Sequence, residues 1–410
     1  MFFKLAAFDR PGTPAFLVLF TLDTLARAML VTVVPLQAYA LLADAQKVSV
    51  LYFAAGTVGL CGSLGVPYLV ARLHRRGALA LGFSGWLLSA MLLAQEQIWC
   101  LVPGLALQMF SGASVTICLN LYVLDNVPKA NLTRFEPMRM FLAGIGWISG
   151  PVIGVYLSTR IAPWVPFLLS SGFFIAMYGY FRYLRVPHAR TNPNASRPQE
   201  NPIKFVRRFF QQPRLTLAWV LSVGRAAWWN GFYIYAPIFA VATGLGDEAG
   251  GLISSAGSAG LFTVTFWGWV GRRKGIRWLL VFGYAVTGVL SLLVGLLMGS
   301  PLLGAALLVA SAFGASITDG PGNVHFLRSV RHYERAAMTS VFSTYREAAR
   351  LSMPATYSFL LLVFPLPAVF FPPGGSAVPL PVAAPEPVVL VLMTCFSRFA
   401  CSSASFFALA

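Results

Sequence analysis

The chain has 410 residues, of which 57% are hydrophobic and 10% charged, and its formal net charge is +17. Soluble domains carry about 25% charged residues, so this composition excludes a soluble enzyme, a secreted disulfide scaffold and a disordered regulator; its solvent is the bilayer. The positive charge does not describe a nucleic-acid binder either, because 25 of the 30 basic residues are Arg and they fall in short clusters between apolar runs.

Apolar runs long enough to span a membrane fall at 15–42, 48–71, 78–95, 99–124, 139–159 and 162–183. A second set falls at 215–243, 249–270, 278–298, 302–323 and 336–364, with a poorer twelfth at 368–396. The predicted fold is therefore an all-α polytopic membrane bundle of about 12 helices in two six-helix halves, 1–184 and 215–410. Between them lies a basic linker, 185–214. Its end interleaves Lys204, Arg207, Arg208 and Arg214 with Phe205, Phe209 and Phe210. This pattern suits either an amphipathic piece on the membrane surface or a solvated connection.

With the N-terminus in the cytoplasm, 23 basic residues lie in loops and ends on the cytoplasmic side, against only Lys47 and Arg160 opposite. That is the positive-inside asymmetry, and it explains the net charge without a nucleic-acid partner. The last segment is atypical: eight Pro lie between Pro365 and Pro387, followed by a Ser-, Ala-, Cys- and Phe-rich end. Proline at that density does not suit a spanning helix. The five Cys form no CxxC pair and read as small buried hydrophobes.

An internal repeat runs at an offset of 198 residues. It maps Arg27 on Arg225, Gly59 on Gly257, Gly62 on Gly260, Arg75 on Arg273, Arg76 on Lys274 and Gly77 on Gly275. Two parallel halves joined by a basic loop resemble the major facilitator transporters, which hold substrate near the midplane between the halves. The helix-5 run Gly146-Trp147-Ile148-Ser149-Gly150-Pro151-Val152-Ile153-Gly154 resembles the motif of the antiporter branch of that superfamily, with Val155 in place of a final Gly. The loops carrying Arg75-Arg76-Gly77 and Arg273-Lys274-Gly275 resemble its gating loop, which needs a tight Gly turn, but both lack the usual Asp. Gln108 stands where many proton-coupled members carry an Arg.

Charges inside the spans carry most of the information, because they are costly there. Asp23 and Arg27 stand one turn apart and can pair; Arg225 lies mid-helix with no acid in its own helix; Asp319 closes helix 10; and Arg346, Glu347 and Arg350 cluster in helix 11. On one reading Arg27 and Arg225 are anion clamps, an arrangement similar to the superfamily's organophosphate exchangers. On the other, Asp23, Glu347 or Asp319 exchanges a proton and the ligand is drug-like. Trp229, Asn230 and Tyr233 supply a substrate wall on either reading, though a Trp/Tyr stretch also suits an interfacial belt.

The expected function is secondary active transport of a small molecule by alternating access, as proton-coupled efflux. The alternatives are organic-anion uptake or exchange through Arg27 and Arg225, and a non-transporting scaffold or sensor of the same fold. Expected partners are the substrate, the lipid bilayer and a proton or counter-ion, for a monomer in a bacterial inner membrane. No nucleotide-binding loop occurs, and His74, His188, His325 and His332 have no metal-ligand spacing. Enzymatic activity, cofactors and metals are not expected.

Overall fold

The computed structural model describes residues 13–127, 129–184, 203–296, 300–322, 324–330 and 335–363. Every regular element among them is helical. The helices cover the first eleven predicted spans; the twelfth, 368–396, and the Pro-rich segment before it lie outside the described residues.

Two compact units divide the chain, residues 1–43 with 51–198 and residues 44–50 with 199–410. The first contains α1 (Thr13–Leu42), most of α2 (Ala45–Leu93), α3 (Ile98–Asn126), α4 (Lys129–Arg160) and α5 (Val165–Tyr183). The second contains α6 (Ile203–Phe210), α7 (Pro213–Ala242), α8 (Asp247–Ser258), a 3-10 segment (Ala259–Thr263) and α9 (Val264–Lys274). It continues with α10 (Ile276–Leu296), α11 (Pro301–Asp319), α12 (Val324–Ser329), α13 (Arg335–Ser343) and α14 (Tyr345–Val363). Among the described residues six stretches are long and apolar enough to cross a membrane: α1, residues 72–93 of α2, 98–123 of α3, 138–160 of α4, α8 through α9, and α11.

Helix α2 joins predicted spans 2 and 3 through a break at His74, whose φ of 58° and ψ of 167° are non-helical. The sequence reading put this turn on Gly77, and that is corrected: the chain turns three residues earlier. Gly77 is helical, and a Cβ there would meet the Leu73 Cβ at 2.9 Å, so its small size serves packing. In the second unit the expected glycine turn does occur, at Gly275 with φ 93°. A Cβ at that φ is strained, which is why glycine suits it.

The predicted helix 8 is also interrupted. At Ala259–Thr263 it tightens to 3-10, where Gly260 faces α11 so closely that a Cβ would lie 3.3 Å from the Phe313 Cα. The predicted helix 11 breaks at Thr344, between α13 and α14. There the Thr344 hydroxyl accepts from the Trp219 indole at 3.1 Å and donates to the Val341 carbonyl at 2.7 Å.

Within the basic linker, α6 packs on the second unit. Phe209 is wholly buried in a cluster with Leu215, Phe326, Met338 and Phe342, and Phe205 packs against the same cluster. Arg207 and Arg208 are exposed. The amphipathic segment thus rests its aromatic face on the second unit and turns its charges outward.

Candidate functional site

In the first unit, α1 carries Asp23 and Arg27 one turn apart, and the spacing produces the pair it predicts. Arg27 Nε and Nη2 donate to Asp23 Oδ1 at 2.9 and 2.7 Å. The same Nη2 reaches the Gly112 carbonyl at 2.8 Å and the Thr116 hydroxyl at 3.0 Å, both on α3. Gly112 permits this approach, since a Cβ there would sit 3.0 Å from Arg27 Nη1. The Trp86 ring of α2 lies 5.9 Å from the guanidinium. Trp86 is itself fixed by Ser170 of α5, which accepts its indole N–H at 3.2 Å and donates to the Ala26 carbonyl at 2.8 Å.

The helix-5 glycines sit against this pair. Gly146, Gly150 and Gly154 form one face of α4, and Cβ atoms there would press on Thr24, Ala28 and Met29 of α1. At Gly150 the overlap would be with the Ala28 main chain at 2.6 Å. Pro151 is buried beside them. Physically, the motif is a small-residue seam that lets α4 close on the α1 segment bearing Asp23 and Arg27.

In the second unit Arg225 does have an acid, supplied by another helix. Its Nε lies 3.3 Å from Asp319 Oδ1 at the end of α11. Asp319 Oδ2 accepts the Trp229 indole N–H at 2.9 Å. Arg225 and Trp229 stand one turn apart on α7, so one carboxylate bridges two consecutive positions of that face. Around Arg225 lie the Thr318 and Gly322 carbonyls, both at 3.4 Å, and the Tyr284 and Tyr345 rings. Tyr284 donates to the Leu221 carbonyl at 2.5 Å, and the Tyr345 hydroxyl accepts from Arg346 Nε at 3.3 Å.

An aromatic ladder continues along α7. Trp229 stacks on Tyr233 at 5.8 Å, and Trp228 on Phe232 at 5.3 Å. The Tyr233 hydroxyl shares a hydrogen bond of 2.8 Å with Ser258, whose own hydroxyl donates to the Ser254 carbonyl at 2.7 Å. Asn230, on the same helix, is half-buried and makes no side-chain hydrogen bond among the described residues.

The structure therefore brings Arg225, Trp229, Tyr233 and Asp319 together, and separately Asp23 and Arg27. Glu347 and Arg350 form their own pair on α14 at 3.1 Å, with side chains 31% and 40% exposed. Arg75 and Arg76 lie beside Tyr122 of α3. Arg273 stands 4.2 Å over the Trp269 ring, and Lys274 stands 4.7 Å over that of Trp278. Sequence reasoning missed Ser258, Tyr284 and Tyr345, which carry no spacing signal, and His325. The His325 imidazole Nε2 lies 3.2 Å from Ser222 Oγ, and burial together with the Arg225 charge pushes it down to about 4.

Two helical units with buried, internally paired charges in their spans define a polytopic integral membrane protein of the transporter class. The profile of the Major Facilitator Superfamily matches residues 16–354, and the chain belongs to that superfamily. No curated protein matches it in sequence. Similar solved structures include a POT family transporter in complex with thioalcohol conjugated peptide, at 12% identity and TM-score 0.75 over 97% of this chain and 96% of that one. The nucleoside transporter NupG is similar at 11% identity and TM-score 0.71, over 96% and 98% of the two chains. A D-xylose-proton symporter follows at 13% identity and TM-score 0.63, over 84% and 88%. At such identities the likeness speaks for the fold.

Proposed function

We propose that the protein is a proton-coupled exporter of a small organic molecule, working by alternating access, with Asp319 as the carboxylate that exchanges the proton. The observation carrying this reading is that Asp319 bridges Arg225 and Trp229. A carboxylate held by a cation and by an indole at the foot of an aromatic ladder links its protonation state to the wall that a flat ligand would touch. When Asp319 takes a proton, Arg225 loses its counter-charge and the Trp229 hydrogen bond falls to a weaker, neutral acceptor, so the link between α7 and α11 is loosened. That is a two-state element which a proton and a ligand can both bias. Trp229, Tyr233 and Asn230 are the proposed ligand contacts, and Asn230 brings a side-chain amide that makes no hydrogen bond among the described residues.

The charge arithmetic favours this over the anion clamp. Arg27 and Arg225 each have an Asp of their own unit, so each site is neutral as it stands. An anion would have to displace a carboxylate to use the guanidinium fork. Export, rather than import, is supported by the helix-5 seam and its resemblance to the antiporter branch.

The test is proton release from protein in proteoliposomes challenged with panels of lipophilic cations and organic anions. Ligand-dependent release that disappears in Asp319→Asn supports the reading. Anion responses lost in Arg27→Ala and Arg225→Ala, and untouched in Asp319→Asn, would replace it with the clamp.

A further inference from the structure

The second unit has an apolar groove of about 370 Å³ between α9, α10 and α11. Its walls include Phe266, Trp267, Phe282, Val286, Ala310 and Phe313. It opens sideways, since Phe266 is 55% exposed, Phe282 38% and Phe313 38%.

Two aromatic stacks lead from the groove to two cations. On α9, Phe266 stacks on Trp269 at 5.9 Å, and the Arg273 guanidinium lies over Trp269 at 4.2 Å. On α10, Phe282 stacks on Trp278 at 4.9 Å, and the Lys274 ammonium lies over Trp278 at 4.7 Å. Arg272 and Arg277 flank them at the same end of the helices, and no Asp or Glu occurs anywhere in 264–296. From Phe266 to Lys274 the helix rises roughly 12 Å at 1.5 Å per residue. An apolar slot a helical turn or two below an acid-free group of cations has the polarity profile of a phospholipid: acyl chain below, headgroup above.

We propose that this groove is a binding site for one anionic phospholipid. Its acyl chain lies along Phe266, Phe282 and Phe313, and its phosphate is held by Arg273 and Lys274. The Trp269 and Trp278 rings hold the two cations by cation–π contact, so charge is presented at a headgroup's distance from the slot rather than left on mobile side chains. The groove shares no lining residue with the Arg225, Trp229, Tyr233 and Asp319 group.

Native mass spectrometry of the delipidated protein in detergent tests it, with dioleoylphosphatidylglycerol and dioleoylphosphatidylcholine as probes. One phosphatidylglycerol should bind tightly, well ahead of phosphatidylcholine. Arg273→Gln with Lys274→Gln should weaken phosphatidylglycerol about 30-fold and erase the preference. Ala310→Phe, which fills the slot, should weaken both lipids. Should that variant not fold, Val286→Phe fills the same slot from α10. Equal binding of the two lipids by the unmodified protein would overturn the proposal, as would a preference that survives loss of both cations.

Discussion

Trp229 of α7 donates its indole N–H to Asp319 at the end of α11 across 2.9 Å, and one turn earlier on the same face Arg225 meets the other oxygen of that carboxylate at 3.3 Å. Asp319 is thereby committed to two donors on one helix. Removing Asp319 takes the counter-charge from Arg225, which keeps the longer Thr318 and Gly322 carbonyl contacts, and the acceptor from Trp229, which is costly inside a bundle.

The first consequence concerns Arg27. Asp23→Ala alone strands a guanidinium in α1, while Arg27→Ala alone strands a carboxylate. Each should lower stability by about 3–5 kcal/mol, and the double variant should lose less than the two singles summed. Thermal unfolding of the four proteins in one detergent closes this cycle; strict additivity would mean that the pair has no coupling.

At Gly150 the prediction is steric. A Cβ there would lie 2.6 Å from the Ala28 main chain, which cannot swing aside as a flexible side chain would. Gly150→Leu should destabilise the first unit by about 1–3 kcal/mol or more, read as a lowered unfolding midpoint. An unchanged midpoint would remove the close α1–α4 seam from the account.

His74 holds φ 58° and ψ 167°, a region that costs an L residue of the order of 1–3 kcal/mol. His74→Gly should therefore raise the unfolding midpoint, although glycine gives back part of the gain through the entropy of the unfolded chain. His74→Ala, which keeps the Cβ, should not.

His325 sets a pH dependence. It lies at the start of α12, and its imidazole is pushed down to about 4 from an ordinary 6.5, so the folded protein keeps it neutral while the unfolded chain protonates. Its contribution is complete above about pH 6.5 and is lost as pH falls from there towards 4, because the unfolded state binds the extra proton. The loss is of the order of 1–3 kcal/mol. Unfolding midpoints at pH 7.5 and 4.5 should differ less in His325→Gln than in the unmodified protein.

The two halves show where the sequence was legible and where it was not. Asp23–Arg27 and Glu347–Arg350 follow from helical spacing, because both partners lie on one helix and one turn apart. Arg225 reads in sequence as a cation with no acid in its helix. Its partner comes from α11, and only the packing of α7 against α11 brings them together. The 198-residue repeat aligns Arg27 with Arg225, yet the two units neutralise these equivalent cations by different routes, one within a helix and one between helices. The break at His74 was hidden for a related reason: a glycine turn was expected at both basic loops, and the first unit turns on a residue whose side chain gives no such signal. For the amphipathic segment 203–210, the Phe/Arg alternation of faces was plain, but which surface the aromatic face meets depends on Phe326 and Phe342, more than a hundred residues away.

Proton coupling at Asp319 is most directly tested by following internal pH in proteoliposomes while a responding ligand is added, for the unmodified protein and for Asp319→Asn. The account predicts that the variant still exchanges ligand across the membrane down its gradient but moves no protons with it and cannot accumulate ligand against a gradient. Full uphill, pH-driven transport by Asp319→Asn would contradict it.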